Sequence, residues 1–191
     1  MIIKIYTYVK KCGHRSCDTD NMIIESVKKF DPGLKERISV KRAESGKPYL
    51  EIARDTASGA ATIGATTIGA TTIGVTHTDR EVFIALSKSR FGIDAERFDR
   101  AGKIADFKRI AERFFTRDEQ LYIGDSCKRF LDIWVSKEAY VKCFGMGIGD
   151  MRSFSVMSLR GKLLPVNNDD NLIKIYVPPQ NADLKVEIIT E

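Results

Sequence analysis

The stretch GIDAE at residues 92–96 decides the fold of the second half of the chain, because its pattern predicts a strand with one polar face. Its residues alternate with a period of two, so Asp94 and Glu96 lie on one face and Ile93 and Ala95 on the other. Taken alone, this alternation is also typical of a half-exposed strand whose polar face is solvated. Whether this polar face forms a functional site or is simply solvated therefore depends on which other residues of the chain pack against it.

A second stretch, WVSKEAYVK at residues 134–142, predicts a helix on which Trp134, Glu138 and Lys142 fall along one stripe. If Glu138 converges with the two carboxylates of the strand, the three charges repel one another unless a cation joins them. Hard oxygen ligands suit Mg²⁺, which takes further ligands from water and substrate phosphates. Lys137 and Lys142 then face the phosphates as point charges. From this stretch alone, a surface ion pair of Glu138 and Lys142 and a core position for Trp134 stay open.

The composition is that of a globular chain. Its 191 residues, 43% of them hydrophobic, suffice for one domain or two small, closely packed halves. No apolar run reaches the length of a membrane span, and residues 1–6 alternate like a strand and do not resemble a signal peptide. We therefore expect a cytoplasmic protein without a membrane partner.

The charge distribution favours an anionic partner. Lys and Arg number 31 against 26 Asp and Glu, which gives a formal net charge of +5. These basic residues are dispersed among the acidic ones and form no long tract, which argues against a nucleic-acid groove. A phosphorylated nucleotide cofactor together with an acidic protein fits the same charge.

The cysteines do not indicate a zinc site. Cys12 and Cys17 flank His14, but their spacing is looser than Cys-x-x-Cys and no second Cys/His pair follows. Reduced thiols in a cytosolic protein are the better interpretation of the four cysteines.

The predicted elements place the chain in the α+β class. Strands are predicted at residues 2–9, 37–42, 49–53, 72–77, 81–87, 91–96, 154–157, 172–177 and 184–189. Helices are predicted at residues 18–30, 103–114, 117–122 and 127–144, the last ended by Gly145. Each half, 1–90 and 91–191, opens with a strand, passes through helix and closes with antiparallel strands, which suggests a pseudo-duplication.

Three copies of one pentamer, TIGAT, TIGAT and TIGVT, occupy residues 62–76. A period of five fits neither helix nor strand, and the regular glycines weaken both. We expect the last copy to supply the strand that leads into His77 and the earlier copies to form a mobile surface loop.

Several motifs together resemble the 4′-phosphopantetheinyl transferases, specifically the longer Sfp-type branch. GIDAE and WVSKEAYVK resemble the family's Gly-Ile-Asp-x-Glu and Trp-x-x-Lys-Glu-Ala-x-x-Lys signatures. The other pieces follow in family order: His14-Arg15-Ser16, GKPYL at residues 46–50, THT at 76–78, and RFF at 113–115 followed by Glu119. The resemblance runs from about residue 14 to about residue 156. THT stands where the family usually has Ser-His-Ser, and the pentamer repeat looks like an insertion.

The resemblance implies a fold of two similar halves, each an antiparallel sheet packed with helix. It also implies Mg²⁺-dependent transfer of 4′-phosphopantetheine from coenzyme A to a serine of an acidic acyl or peptidyl carrier protein, with release of 3′,5′-ADP. The implied metal ligands are Asp94, Glu96 and Glu138, and the implied catalytic residues are Glu138, Lys142 and His77. The residues expected to contact coenzyme A are Arg15, Ser16, Lys47, Thr76, His77, Lys137 and Lys142. Either Glu138 or an ordered, metal-bound water accepts the serine proton.

Three other functions stay open from the sequence. A basic α+β module would bind nucleic acid in a salt-sensitive manner that does not depend on Asp94. A catalytically degenerate homologue would keep the fold without the transfer. A metal-dependent phosphohydrolase would release phosphate from simple nucleotides without any carrier protein.

Overall fold

The protein divides into two compact units, Met1–Arg90 and Phe91–Glu191, in a computed structural model. The structure describes residues 3–10, 18–34, 37–44, 46, 48–53, 71–97, 104–157, 171–176 and 188–189. Together the two units show a mixed α+β architecture of antiparallel sheets and helices, as the pattern of elements predicts. None of the helices in the described ranges is both long and apolar enough to cross a membrane.

The first unit holds one helix and five strands within its described part. They are β1 (Ile3–Val9), α1 (Thr19–Phe30), β2 (Arg37–Arg42), β3 (Pro48–Ala53), β4 (Thr72–His77) and β5 (Glu81–Ser87). An antiparallel sheet has the order β1-β5-β4, and β2 and β3 pair as a separate antiparallel hairpin. The last pentamer copy thus supplies β4, as predicted, whereas residues 62–70 of the earlier copies lie outside the described residues.

The core of the first unit forms between α1 and the central strand β5. Asp18 caps α1 by accepting a hydrogen bond from the backbone N–H of Asn21, which satisfies one of the free donors of the first turn. On the inner face of α1, Ile23 and Val27 are fully buried, four residues apart as the helical repeat requires. They belong to the same apolar cluster as Val82, Ile84 and Leu86, which share one face of β5, so the helix covers that face of the three-stranded sheet.

The second unit combines four helical segments with a three-stranded sheet in its described part. Its elements are β6 (Gly92–Arg97), α2 (Phe107–Phe114), α3 (Arg117–Ile123), α4 (Cys127–Phe144), a 3₁₀ helix (Ile148–Ser153), β7 (Asn171–Tyr176) and β8 (Ile188–Ile189). The sheet is antiparallel in the order β6-β7-β8, and α4 packs against β6 and β7.

Helix α4 has both of its ends defined by the sequence. The Ser126 hydroxyl accepts from the backbone N–H of Arg129 at the start, and Gly145 adopts a left-handed φ of 68° just past the end. One side of the helix carries Phe130 and Trp134, whose rings stack with centroids 5.9 Å apart in the core shared with α2 and α3. Trp134 is therefore a core anchor.

The predicted strand at residues 154–157 is wrong. These residues follow the 3₁₀ helix as an irregular segment and turn. The backbone N–H of Val156 donates to Glu119 Oε1 at 2.9 Å, so it is committed to a buried side chain and not to a sheet. Phe154 and Val156 alternate with polar residues because both pack into the core beside α4, and this alternation imitates the pattern of a strand.

Candidate active site

Strand β6 presents acidic side chains toward helix α4. Ile93 and Ala95 are 1% and 2% exposed on one face of the strand. Asp94 and Glu96 alternate with them, and Asp94 is buried while Glu96 is half-buried. The strand therefore has the two faces that its period-two pattern predicts, and its polar face is covered by the helix and not simply solvated.

Helix α4 adds Glu138 and Lys142 to the same place. Lys142 Nζ donates to Asp94 Oδ1 at 2.6 Å and lies 3.9 Å from Glu138 Oε2. Glu138 and Lys142 are one helical turn apart, so they stack on one face of α4. The Lys142 ammonium is thus the cation that joins the strand carboxylate to the helix carboxylate. We call Asp94, Glu96, Glu138 and Lys142 the acidic cluster.

The electrostatics of Glu138 show that the three carboxylates act on one another. Burial is the main cause that raises the pKa of Glu138, and the negative charges of Asp94 and Glu96 raise it further, against the opposing effect of Lys142. The positive charge of Lys142 is therefore not enough to offset burial and repulsion at Glu138. An added cation would lower this repulsion.

The oxygen atoms of the acidic cluster are the donor type that Mg²⁺ prefers. Within the described ranges, no group of three or more His, Cys, Asp or Glu side chains already has the arrangement of a metal site. The ammonium of Lys142 occupies the position between Asp94 and Glu138 and spaces their oxygens around itself. The three carboxylates repel one another in this arrangement, and a divalent cation would relieve that repulsion. The donor set fits a divalent cation.

Lys137 is placed away from the acidic cluster. Its side chain is 0% exposed, and Nζ contacts Glu119 Oε2 at 3.0 Å and the carbonyl oxygens of Met151 and Phe154 at 2.5 and 2.6 Å. Burial lowers the pKa of this ammonium, and the charge of Glu119 opposes that effect. Lys137 therefore lies in a closed internal site, where a coenzyme A phosphate does not reach it. We call Lys137 and Glu119 the buried pair.

Glu119 is the residue of unit 2 whose role the sequence reasoning missed. It is fully buried and accepts from the backbone N–H of Thr116 at 2.9 Å and of Val156 at 2.9 Å, besides its ion pair with Lys137. The available signal was the spacing Thr116-x-x-Glu119, which is that of a capping box at the start of α3. That spacing identifies Glu119 as part of a helix cap. It does not identify its buried partner Lys137, which comes from helix α4.

The expected coenzyme A contacts in the first unit fall into two groups. Thr76 is 4% exposed and His77 is exposed at the end of β4, where they pair with Phe83 and Val82 of β5. Arg15, Ser16 and Lys47 lie outside the described residues. The strand end thus presents the His77 imidazole to solvent and keeps Thr76 inside.

The comparison with family models agrees with the resemblance that the motifs carry. Residues 90–174 match the model of the 4′-phosphopantetheinyl transferase superfamily. This segment contains β6, α4 and all four residues of the acidic cluster. Over this segment the match confirms the resemblance at the level of the superfamily, and it supports a phosphopantetheine transferase type of function in general. A search of curated proteins gives no significant match.

Proposed function

We propose that the protein transfers 4′-phosphopantetheine from coenzyme A to a serine of an acyl or peptidyl carrier protein and releases 3′,5′-ADP. The observation that carries this proposal is the convergence of three interacting carboxylates and a lysine within the segment that matches the superfamily. Carboxylates for a divalent cation beside a lysine for phosphate oxygens are the equipment that phosphoryl chemistry on a nucleotide requires.

Asp94, Glu96 and Glu138 are the residues that would hold Mg²⁺. When bound, the ion neutralises negative charge on the diphosphate of coenzyme A as the phosphoanhydride bond is broken. The three acids come from two elements packed on each other, β6 and α4, so the position of the site is fixed by the sheet and helix and not by a loop.

Lys142 supplies positive charge to the same diphosphate. Its side chain is 38% exposed, so its ammonium is accessible to a bound anion. In the reaction it stabilises the charge that develops on the non-bridging phosphate oxygens. The hydrogen bond to Asp94 orients this ammonium before the substrate arrives.

Glu138 accepts the proton of the carrier serine, directly or through a water that it orients. His77, with Arg15, Ser16 and Lys47, is proposed to contact the phosphates of coenzyme A, and Thr76 is omitted because it is 4% exposed. Lys137 is omitted, because its ammonium is enclosed in the buried pair.

The basic balance of the chain suits the proposed partner. A formal net charge of +5 favours encounter with an acidic carrier protein. We expect this contribution to act mainly on the association rate and to weaken as salt is added.

The test is intact-protein mass spectrometry of several apo carrier proteins incubated with the protein, coenzyme A and Mg²⁺. We expect a gain of one phosphopantetheine group that disappears with a metal chelator and with Asp94→Ala or Glu138→Ala. The matched control is Glu112→Ala, which removes an exposed acid from α2 in the same unit and should leave the gain unchanged. No gain with any carrier would contradict the proposal.

A further inference from the structure

Strand β6 approaches helix α4 most closely at Gly92. A Cβ atom built on Gly92 would lie 1.9 Å from the carbonyl oxygen of Ala139 and 2.6 Å from the backbone nitrogen of Cys143. Both are main-chain atoms of α4, so no change of side-chain rotamer relieves the overlap. Only a hydrogen atom fits at this position while strand and helix keep their present separation.

The helix side of this contact is equally closed. Ala139 and Cys143 are 0% and 1% exposed and lie four residues apart, one above the other on the face of α4 that meets β6. On the strand side, Gly92 is paired with Tyr176 of β7. The strand is therefore held by the sheet along one edge and by the helix backbone on one face.

This contact lies next to the acidic cluster in both elements. Gly92 and Asp94 share one face of β6 because they are two residues apart. Ala139 follows Glu138 directly, and Lys142 precedes Cys143. Asp94 has a short side chain, yet its carboxylate reaches Lys142 Nζ at 2.6 Å. The close approach of the two backbones at Gly92 brings this short side chain near the helix.

We infer that Gly92 is a positioning residue, which sets the distance between the strand carboxylates and the Glu138 and Lys142 side chains of the helix. For its effect on catalysis this inference rests on the proposed transferase function. An alanine at this position moves β6 away from α4 by about 1 Å, because Cβ atoms do not approach other atoms within 3.0 Å. A displacement of that size in a catalytic group lowers turnover by roughly 100-fold.

The experiment compares Gly92→Ala with a matched control, Gly149→Ala. Gly149 lies in the 3₁₀ helix of the same unit, is exposed, and has no atom within 4 Å of an added Cβ. We expect Gly92→Ala to lower kcat for carrier modification by about 100-fold and Gly149→Ala to leave it unchanged. Circular dichroism at the assay temperature verifies that each variant is folded.

A glutamate at residue 94 has a longer side chain, and it distinguishes a positioning role of Gly92 from a merely structural one. Asp94→Glu alone should lower kcat, since the native spacing suits the shorter side chain. In the Gly92→Ala background the same change should raise kcat about tenfold, because one extra methylene spans part of the added gap. If Asp94→Glu has the same effect in both backgrounds, the inference is wrong. If Gly92→Ala does not fold, full activity of Asp94→Glu alone would overturn it.

A crystal structure of Gly92→Ala gives a readout that does not depend on activity. We expect the distance from Lys142 Nζ to Asp94 Oδ1 to increase by about 1 Å, and no change in Gly149→Ala. An unchanged distance in Gly92→Ala would overturn the inference. Absence of transfer in the native protein together with the longer distance in the variant would refute the proposed function and leave the positioning role of Gly92 intact.

Discussion

Lys137 and Lys142 lie five residues apart on helix α4 and have opposite surroundings. Lys137 is 0% exposed and has three oxygen partners, one carboxylate and two carbonyls. An ammonium has three donors, so Lys137 has none left for a ligand. Lys142 is 38% exposed and donates a hydrogen bond to Asp94. Lys137 is part of the interior, whereas Lys142 is exposed enough to donate further hydrogen bonds to a ligand.

The difference follows from the helical repeat. Five residues correspond to about 140° around a helix axis, so the two ammonium groups leave α4 on different sides. The buried pair ties α4 to α3 and to residues 151–154, whereas the acidic cluster faces β6. The same motif thus contains one lysine that ties the helix to the core and one, Lys142, to which we assign a role in the proposed transfer. The predictions below test this division, in order of decreasing expected effect.

Removal of the buried lysine charge should have the largest effect. Lys137→Met leaves Glu119 ionised inside the core without its cation, and breaking a buried ion pair in this way costs about 3–5 kcal/mol of unfolding free energy. Urea unfolding followed by circular dichroism measures this loss. A loss below about 1 kcal/mol, the value typical of exposed ion pairs, would contradict a structural role for the buried pair.

The double variant Lys137→Met with Glu119→Gln is the control for that experiment. A neutral amide in place of the carboxylate removes the uncompensated charge and keeps one oxygen as an acceptor, so part of the lost stability should return. Of the N–H groups of Thr116 and Val156, one keeps an acceptor and the other loses it, which leaves a residual cost of about 1–3 kcal/mol. A double variant no more stable than Lys137→Met would show that the charge itself is not the cause.

Removal of the exposed lysine should affect turnover more than stability. Lys142→Ala removes one donor aimed at the developing phosphate charge, and such a loss lowers kcat by about 10²–10³-fold. Lys128→Ala, an exposed lysine on the same helix, is the matched control and should retain full activity. The rate of carrier modification measures both. Equal rates for the two variants would remove Lys142 from the proposed mechanism.

The elements that the sequence predicts well are those with strong local signals. Helix α4 begins and ends where predicted, at Cys127 and Phe144, because Gly145 provides a left-handed end. Strands at residues 37–42, 72–77 and 81–87 also have the predicted bounds. In each case the deciding information is in the side chains of the segment itself.

The mistakes concern contacts between distant segments. The pattern of residues 154–157 predicts a strand, but the N–H of Val156 is bound by Glu119, 37 residues earlier. Lys137 adjoins Glu138 in sequence, and the motif predicts the same site for both, although neighbouring residues on a helix point about 100° apart. Burial and partner identity depend on tertiary packing, which no local pattern encodes.

Neutralising the helix carboxylate should have a small effect on stability, with a sign opposite to that of Lys137→Met. Burial, Asp94 and Glu96 raise the pKa of Glu138, so the folded protein holds this proton to a higher pH than the unfolded chain does. The associated stability is present below the ordinary glutamate pKa and is lost as the pH rises through the folded-state pKa. With a metal chelator present, Glu138→Gln should therefore be more stable than the native protein at about pH 8 and should differ little near pH 4.

Urea midpoints at the two pH values measure this difference, and Glu112→Gln on the exposed side of α2 is the matched control, for which we expect no change at either pH. A Glu138→Gln variant less stable than the native protein at pH 8 would mean that Lys142 outweighs burial and the repulsion of the other acids. The gain in stability should accompany loss of transfer, because the charge that destabilises the folded state is the charge that the reaction uses. For Lys137 no gain in stability accompanies the loss of the charge, because its removal only destabilises the folded state.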